Sequence, residues 1–140
     1  MNRVILHIGR HKTGTTAIQK FLRENPELLE SANYCYPDFG IRGFGHHELG
    51  APLTRASLRT SEQETESVVE NLRSGLMQSI PEGDAVTVLS SESFQLCDPH
   101  VVKSLFAGWD VQIVVYLREQ VSYLLSSYAQ KVHATDYSGT

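Results

Sequence analysis

The sequence predicts an α/β fold, a three-layer arrangement in which helices flank a parallel sheet, and three observations predict it. Apolar, β-branched runs of strand length recur at "RVILHI" (3–8), "AVTVLSS" (85–91) and "VQIVVYL" (111–117). Segments with helical spacing separate and follow them, the alternation expected of parallel strands joined by helical crossovers. Each run also ends in polar residues, at the sheet edge where ligands of such folds collect.

The elements follow in order. The run at 3–8 is bounded by Gly9 and reads as a buried strand. From Thr15 the pattern turns helical, with Ile18, Phe21 and Leu22 at i, i+3 and i+4, and Asn25-Pro26 closes the segment. Residues 34–60 are rich in glycine, proline and aromatics without clear periodicity, so they read as an irregular surface excursion long enough to suggest function. "SEQE" (61–64) is a capping box, Ser61 at the N-cap and Glu64 at N3. The helix behind it sets Val68, Val69, Leu72, Leu76 and Ile80 on one face and stops at Pro81-Glu82-Gly83. The second strand runs into Ser90-Ser91-Glu92. A short helix over Pro99–Phe106, capped by Asp98, leads to the third strand, and "REQVSYLLSSYAQKV" after it reads as helix.

Composition sets the outer bounds. With 140 residues, 41% hydrophobic and 20% charged, the chain is one ordinary globular domain, long enough for a core without disulfide or metal staples. A formal net charge of −4 argues against general nucleic-acid binding but leaves room for a local basic pocket. Cys35 and Cys97 are isolated, with no metal-ligand or redox spacing, and read as small hydrophobes. "VILHI" is too short for a signal sequence, and no run approaches a membrane span, so the expected location is cytoplasmic.

The chemistry concentrates behind the first strand. Gly9-Arg10-His11-Lys12-Thr13-Gly14-Thr15-Thr16 is a strand-to-helix turn in which backbone N–H groups and a helix start can converge on a phosphate. The ATPase form places lysine after the second glycine and a Ser/Thr on magnesium. Here the two glycines keep that separation, but the lysine sits inside the loop. The second strand supplies no early acid for magnesium, only Glu92 after two serines. The loop suits phosphate without the lysine–magnesium apparatus, and the sheet is expected to be of the P-loop type.

Read as H-x-G-x-x-K-T-G-T-T-x-x-Q, from His7 to Gln19, this string resembles the 5′-phosphosulfate loop of sulfotransferases that use 3′-phosphoadenosine 5′-phosphosulfate (PAPS). A second match lies about one hundred residues on: Arg118 after a strand, Ser126 eight residues later and Tyr128 two beyond, the spacing of that family's 3′-phosphate segment. A guanidinium fork plus a hydroxyl suits a dianionic phosphate. The family often has a proline and a second arginine where this chain has Gln120 and Tyr123.

The resemblance implies transfer of a sulfuryl group from PAPS to an acceptor hydroxyl, of a carbohydrate or glycolipid, leaving PAP (3′-phosphoadenosine 5′-phosphate). No metal and no nucleic-acid partner are expected. Lys12 would meet the leaving phosphate oxygen. Arg10, His11, Thr13, Gly14, Thr15, Thr16, Arg118 and Ser126 would bind the cofactor, and Glu92 is the candidate base. His46 and His47 are the alternative bases or acceptor contacts, whereas His7, on a buried strand, reads as structural.

The resemblance covers residues 3–132 and corresponds to the amino-terminal part of the family's domain. The single domain, 1–140, is therefore expected to be incomplete at its C-terminus, with exposed apolar edge surface that invites self-association. Two further readings stay open: a PAPS- or PAP-binding remnant without turnover, and a nucleotide kinase or NTPase with a degenerate loop.

Overall fold

A computed structural model of the chain describes residues 2–9, 13–58 and 61–135. Four parallel strands form one sheet. β1 (Arg3–His7) lies between β3 (Val86–Ser90) and β4 (Asp110–Val114), and β3 pairs on its far side with the two-residue β2 (Tyr34–Cys35). The register sets Leu6 beside Leu89 and Ile113, and His7 beside Ser90 and Val114. The fold is α/β, an all-parallel sheet flanked by helices, as the alternation of strand and helix patterns predicts.

Strand alternation divides the chemistry between two faces. Val4 and Leu6 point to one side, where they join Leu49 and Leu53 of α3 (His47–Ser57), Val69 and Leu76 of α4 (Glu62–Ser79), and Leu105 of α5 (Pro99–Leu105). His7 and its register partner Ser90 point to the other side, beneath α1 (Thr15–Glu24). The caps match the sequence pattern: Ser61 accepts the Glu64 N–H, and Asp98 accepts the His100 N–H at 2.7 Å.

Several expectations need correction. The 34–60 stretch is not an irregular excursion, because it holds β2 and the eleven-residue α3. Leu49, Leu53 and Ala56 of α3 fall at helical spacing and are buried against the sheet and α4, which outweighs Pro52 and Gly50 within the helix. The third strand stops at Val114 rather than 117: Ile8 N–H still donates to Val114 O at 2.9 Å, but beyond it β1 turns into its loop and leaves β4 nothing to pair with. Two short elements also escape the pattern, α2 (Pro26–Ser31) and a 3₁₀ turn at Glu92–Leu96. The last helix, α6, spans Gln120–Thr135.

The faces of α1 are the most informative difference. The apolar residues Ile18, Phe21 and Leu22 predict its buried side, yet Phe21 is 51% exposed and the buried residues are Thr15 and Gln19. The edge of the sheet beneath α1 is polar, so a polar helix face satisfies it where an apolar one would strand hydroxyls and a carboxylate.

Candidate functional site

The connection leaving β1 runs to β2 on one side of the sheet, and the one leaving β3 runs to β4 on the other. The crevice between the carboxyl ends of β1 and β3 is therefore the topological switch point, the favoured ligand position in open parallel sheets. A buried polar network fills its floor.

Glu92, 6% exposed, is the centre of that network. One carboxylate oxygen accepts the Thr15 hydroxyl, and the other accepts Gln19 Nε2–H at 3.2 Å. Gln19 Nε2 also lies 3.2 Å from Ser90 Oγ, so α1 is stitched to the end of β3 through one amide. Burial alone would raise the Glu92 pKa. The Thr15 hydroxyl, its own backbone N–H, Gln19 and nearby His47 outweigh that, and the net shift is downward. At neutral pH Glu92 is a carboxylate whose two oxygens both accept hydrogen bonds.

The two consecutive histidines have different roles. His46 is fully buried, and its tautomer follows from its partners: Nε2–H donates to the Pro37 carbonyl at 2.9 Å while Nδ1 accepts the Ser90 N–H at 3.1 Å. Burial lowers its pKa to about 4, and Nδ1 cannot take a proton without losing Ser90. With both nitrogens committed, His46 holds the loop onto β3 and is not a base. His47 keeps 25% of its side chain exposed, with Nδ1 2.9 Å from Ser91 Oγ and 3.8 Å from Glu92 Oε2.

Two glycines shape the approach to α1. Gly14 sits at the helix start with φ +86°, a left-handed conformation that favours glycine. Gly14, the N-cap residue, has no side chain to cap α1, and the first turn of the helix carries no acid. A Cβ on Gly9 would overlap Thr15 Cγ2 and sit 3.4 Å from His7 Cε1. Only glycine lets the chain pass that closely by Thr15 of α1.

Of the sequence-nominated residues, Arg10, His11 and Lys12 lie outside the described residues. Thr13, Gly14, Thr15 and Thr16 stand together at the start of α1, and the structure joins Thr15 directly to Glu92. Arg118 is exposed between β4 and α6, and half-buried Ser126 lies within α6, taking no part in the Thr15–Glu92 hydrogen bonds. The link from that segment to the crevice is Tyr116, whose ring meets His7 edge-on at 5.5 Å.

Sequence reasoning assigned no role to Gln19, Ser90 or Ser91. Gln19 closes the quoted string and sits one turn after Thr15, a signal that two polar residues share the buried face. His7, expected to be structural, is 3% exposed with Nδ1 2.7 Å from Ser90 Oγ, and its Nε2 has no hydrogen-bond partner among the described residues.

A groove of about 540 Å³ lies on the core face, lined chiefly by apolar groups such as Ile8, Phe94, Val102, Phe106, Trp109 and Ile113. Lys103 is the charged residue in its described lining. Among the described residues no three His, Cys, Asp or Glu side chains gather as a metal site, and no helix is long and apolar enough to cross a membrane. No protein-family model matches the chain, and neither a curated protein nor a solved structure matches it.

Proposed function

We propose that the chain is the PAPS-binding part of a sulfotransferase, with the crevice between β1 and β3 as its site. The observation that carries this reading is the left-handed Gly14 at the start of α1 together with Gly9, whose Cβ position is filled, both within the phosphosulfate-type string. Thr13 to Thr16 would hold the 5′-phosphate through backbone N–H groups and hydroxyls, Arg10 and His11 would flank it, and Arg118 and Ser126 would hold the 3′-phosphate. PAPS, when bound, supplies the sulfuryl group and a phosphate that leaves with negative charge. Lys12 is assigned to neutralise that charge.

The network refines the choice of base. Glu92, the residue nominated from sequence, accepts from Thr15 and Gln19 and has a lowered pKa, so it is a weak proton acceptor. His47 suits the task better. The base role requires the tautomer in which Nδ1–H donates to Ser91 Oγ, 2.9 Å away, so that Nε2 takes the proton of an acceptor hydroxyl. An acceptor of the saccharide or glycolipid class comes from the resemblance alone.

Calorimetric titration with PAP tests the reading. Binding should be independent of magnesium and lost in Lys12→Ala and Arg118→Ala. A folded chain that does not bind PAP, or one that hydrolyses ATP only with magnesium, would sink it in favour of an inert domain or an NTPase. With a sugar panel, His47→Gln should abolish sulfate transfer and spare PAP binding. Transfer at the wild-type rate would return the base to Glu92.

A further inference from the structure

His7 ends the strand that feeds the loop, and its ring is held from three sides. Ser90 Oγ lies 2.7 Å from Nδ1, the Tyr116 ring abuts it, and the carbon between its nitrogens, Cε1, lies 3.4 Å from the Cβ position of Gly9. Ser90 Oγ already receives an N–H from Gln19, so its own hydrogen needs an acceptor. His7 Nδ1 is the strongest base in reach, the phenol oxygen of Tyr36 being the other group beside Ser90. With the serine hydrogen on Nδ1, the ring proton sits on Nε2. That N–H is buried and has no partner among the described residues, although buried donors in native proteins are nearly always paired.

We propose that His7 is an anion-binding residue, its Nε2–H donating to a phosphate or sulfate oxygen held where Gly9 meets the start of α1. The proposal rests on the reading of that loop as a phosphosulfate cradle and adds to it a donor from the strand itself. Burial lowers the His7 pKa, against the opposing pull of the Glu92 charge, so the ring is a neutral donor at neutral pH. A neutral N–H fixed by Ser90 and Tyr116 is pre-oriented, so little freedom is lost when it binds.

The experiment is a titration of ¹⁵N-labelled protein, following the His7 ring nitrogens, with PAP, pyrophosphate and inorganic sulfate in separate arms. The free protein should show the Nε2–H tautomer, and PAP should shift the Nε2 resonance. His7→Asn, which keeps a polar group near Ser90 and has no atom at Nε2, should weaken PAP by roughly ten- to a hundredfold, the range for a hydrogen bond to a charged group. His7→Gln, whose amide reaches toward the Nε2 position, should recover part of the loss. PAP binding that leaves Nε2 unmoved, or wild-type affinity in His7→Asn, overturns the proposal. A shift with sulfate or pyrophosphate and none with PAP supports the donor and removes the PAPS reading. If no oxyanion binds the folded protein, both fall. Should His7→Asn fail to fold, the wild-type titration decides alone.

Discussion

His46 gives a prediction that depends only on the fold. In the unfolded chain its ring titrates at the ordinary 6.5, whereas in the folded protein burial lowers it to about 4. The folded-state pKa is depressed, so the unfolded state takes up the proton first. The contribution to stability is complete above pH ~6.5 and is lost as pH falls toward the folded value. Two and a half units at 1.36 kcal/mol each is about 3 kcal/mol in full, of which about 2.5 is gone by pH ~4.5. Against the usual ~5–15 kcal/mol of a whole domain, that is a large fraction. The assay is urea unfolding at intervals from pH ~7.5 to ~4.5 for the wild type and His46→Gln, since His7 adds a slope in the same direction that only the difference removes. The wild type should lose about 2.5 kcal/mol more than the variant over that range. Superimposable slopes, or an NMR titration placing the folded His46 ring near 6.5, would refute the assignment of both its nitrogens.

Other consequences follow from the same network and its surroundings. Gly9→Ala should abolish PAP binding through its overlap with Thr15 Cγ2, and Gly9→Ala combined with Thr15→Ser, which removes that methyl, should restore part of it by calorimetry. Thr15→Val should cost about 1.5–3 kcal/mol in urea unfolding at neutral pH, because it deletes a buried hydrogen bond to a carboxylate. It should also raise the depressed Glu92 pKa. That carboxylate stabilises the fold above its unfolded pKa and loses the effect as pH falls through the folded value, so the variant's acid transition below pH ~4.5 should be shallower. Leu53→Ala, at a fully buried position of α3, should cost about 2–5 kcal/mol, and a cost near zero would undo the helix assignment there. Leu117, Val121, Leu124 and Leu125 are each more than 60% exposed, and sedimentation should show concentration-dependent association that Leu124→Lys with Leu125→Lys reduces.

What the sequence showed and what it hid divide along physical lines. Three of the four strands were legible because each lies in a mostly apolar, β-branched run, and the α4 helix because cap and stripe agree; the two-residue β2 is too short for such a signal. The α3 helix was not, since Pro52, Gly50 and the glycines before it mimic loop composition. Its signal was the Leu49–Leu53–Ala56 spacing, which tertiary burial rewards and local propensity does not. At the site, Thr15 and Glu92 were both nominated, but as separate functions. Their hydrogen bond spans 77 residues of chain, and no local pattern encodes a pairing across that distance. Likewise His46 and His47 look alike as neighbours, and only the positions of Pro37 and Ser90 distinguish a locked ring from an accessible one.

The strand order carries one consequence for how the molecule comes together in time. β1 is made first, yet its partners are Val86–Ser90 and Asp110–Val114, so it waits for most of the chain before it can pair. His7 meets Ser90 across 83 residues, and Gln19 meets Glu92 across 73. Contacts that distant place folding in the slower regime of non-local topologies, governed by loop closure rather than by helix formation. Helices α1 and α4 can flicker early, but the crevice does not exist until β1 pairs with β3. A nascent chain halted before residue 86 therefore carries the loop sequence without the floor beneath it.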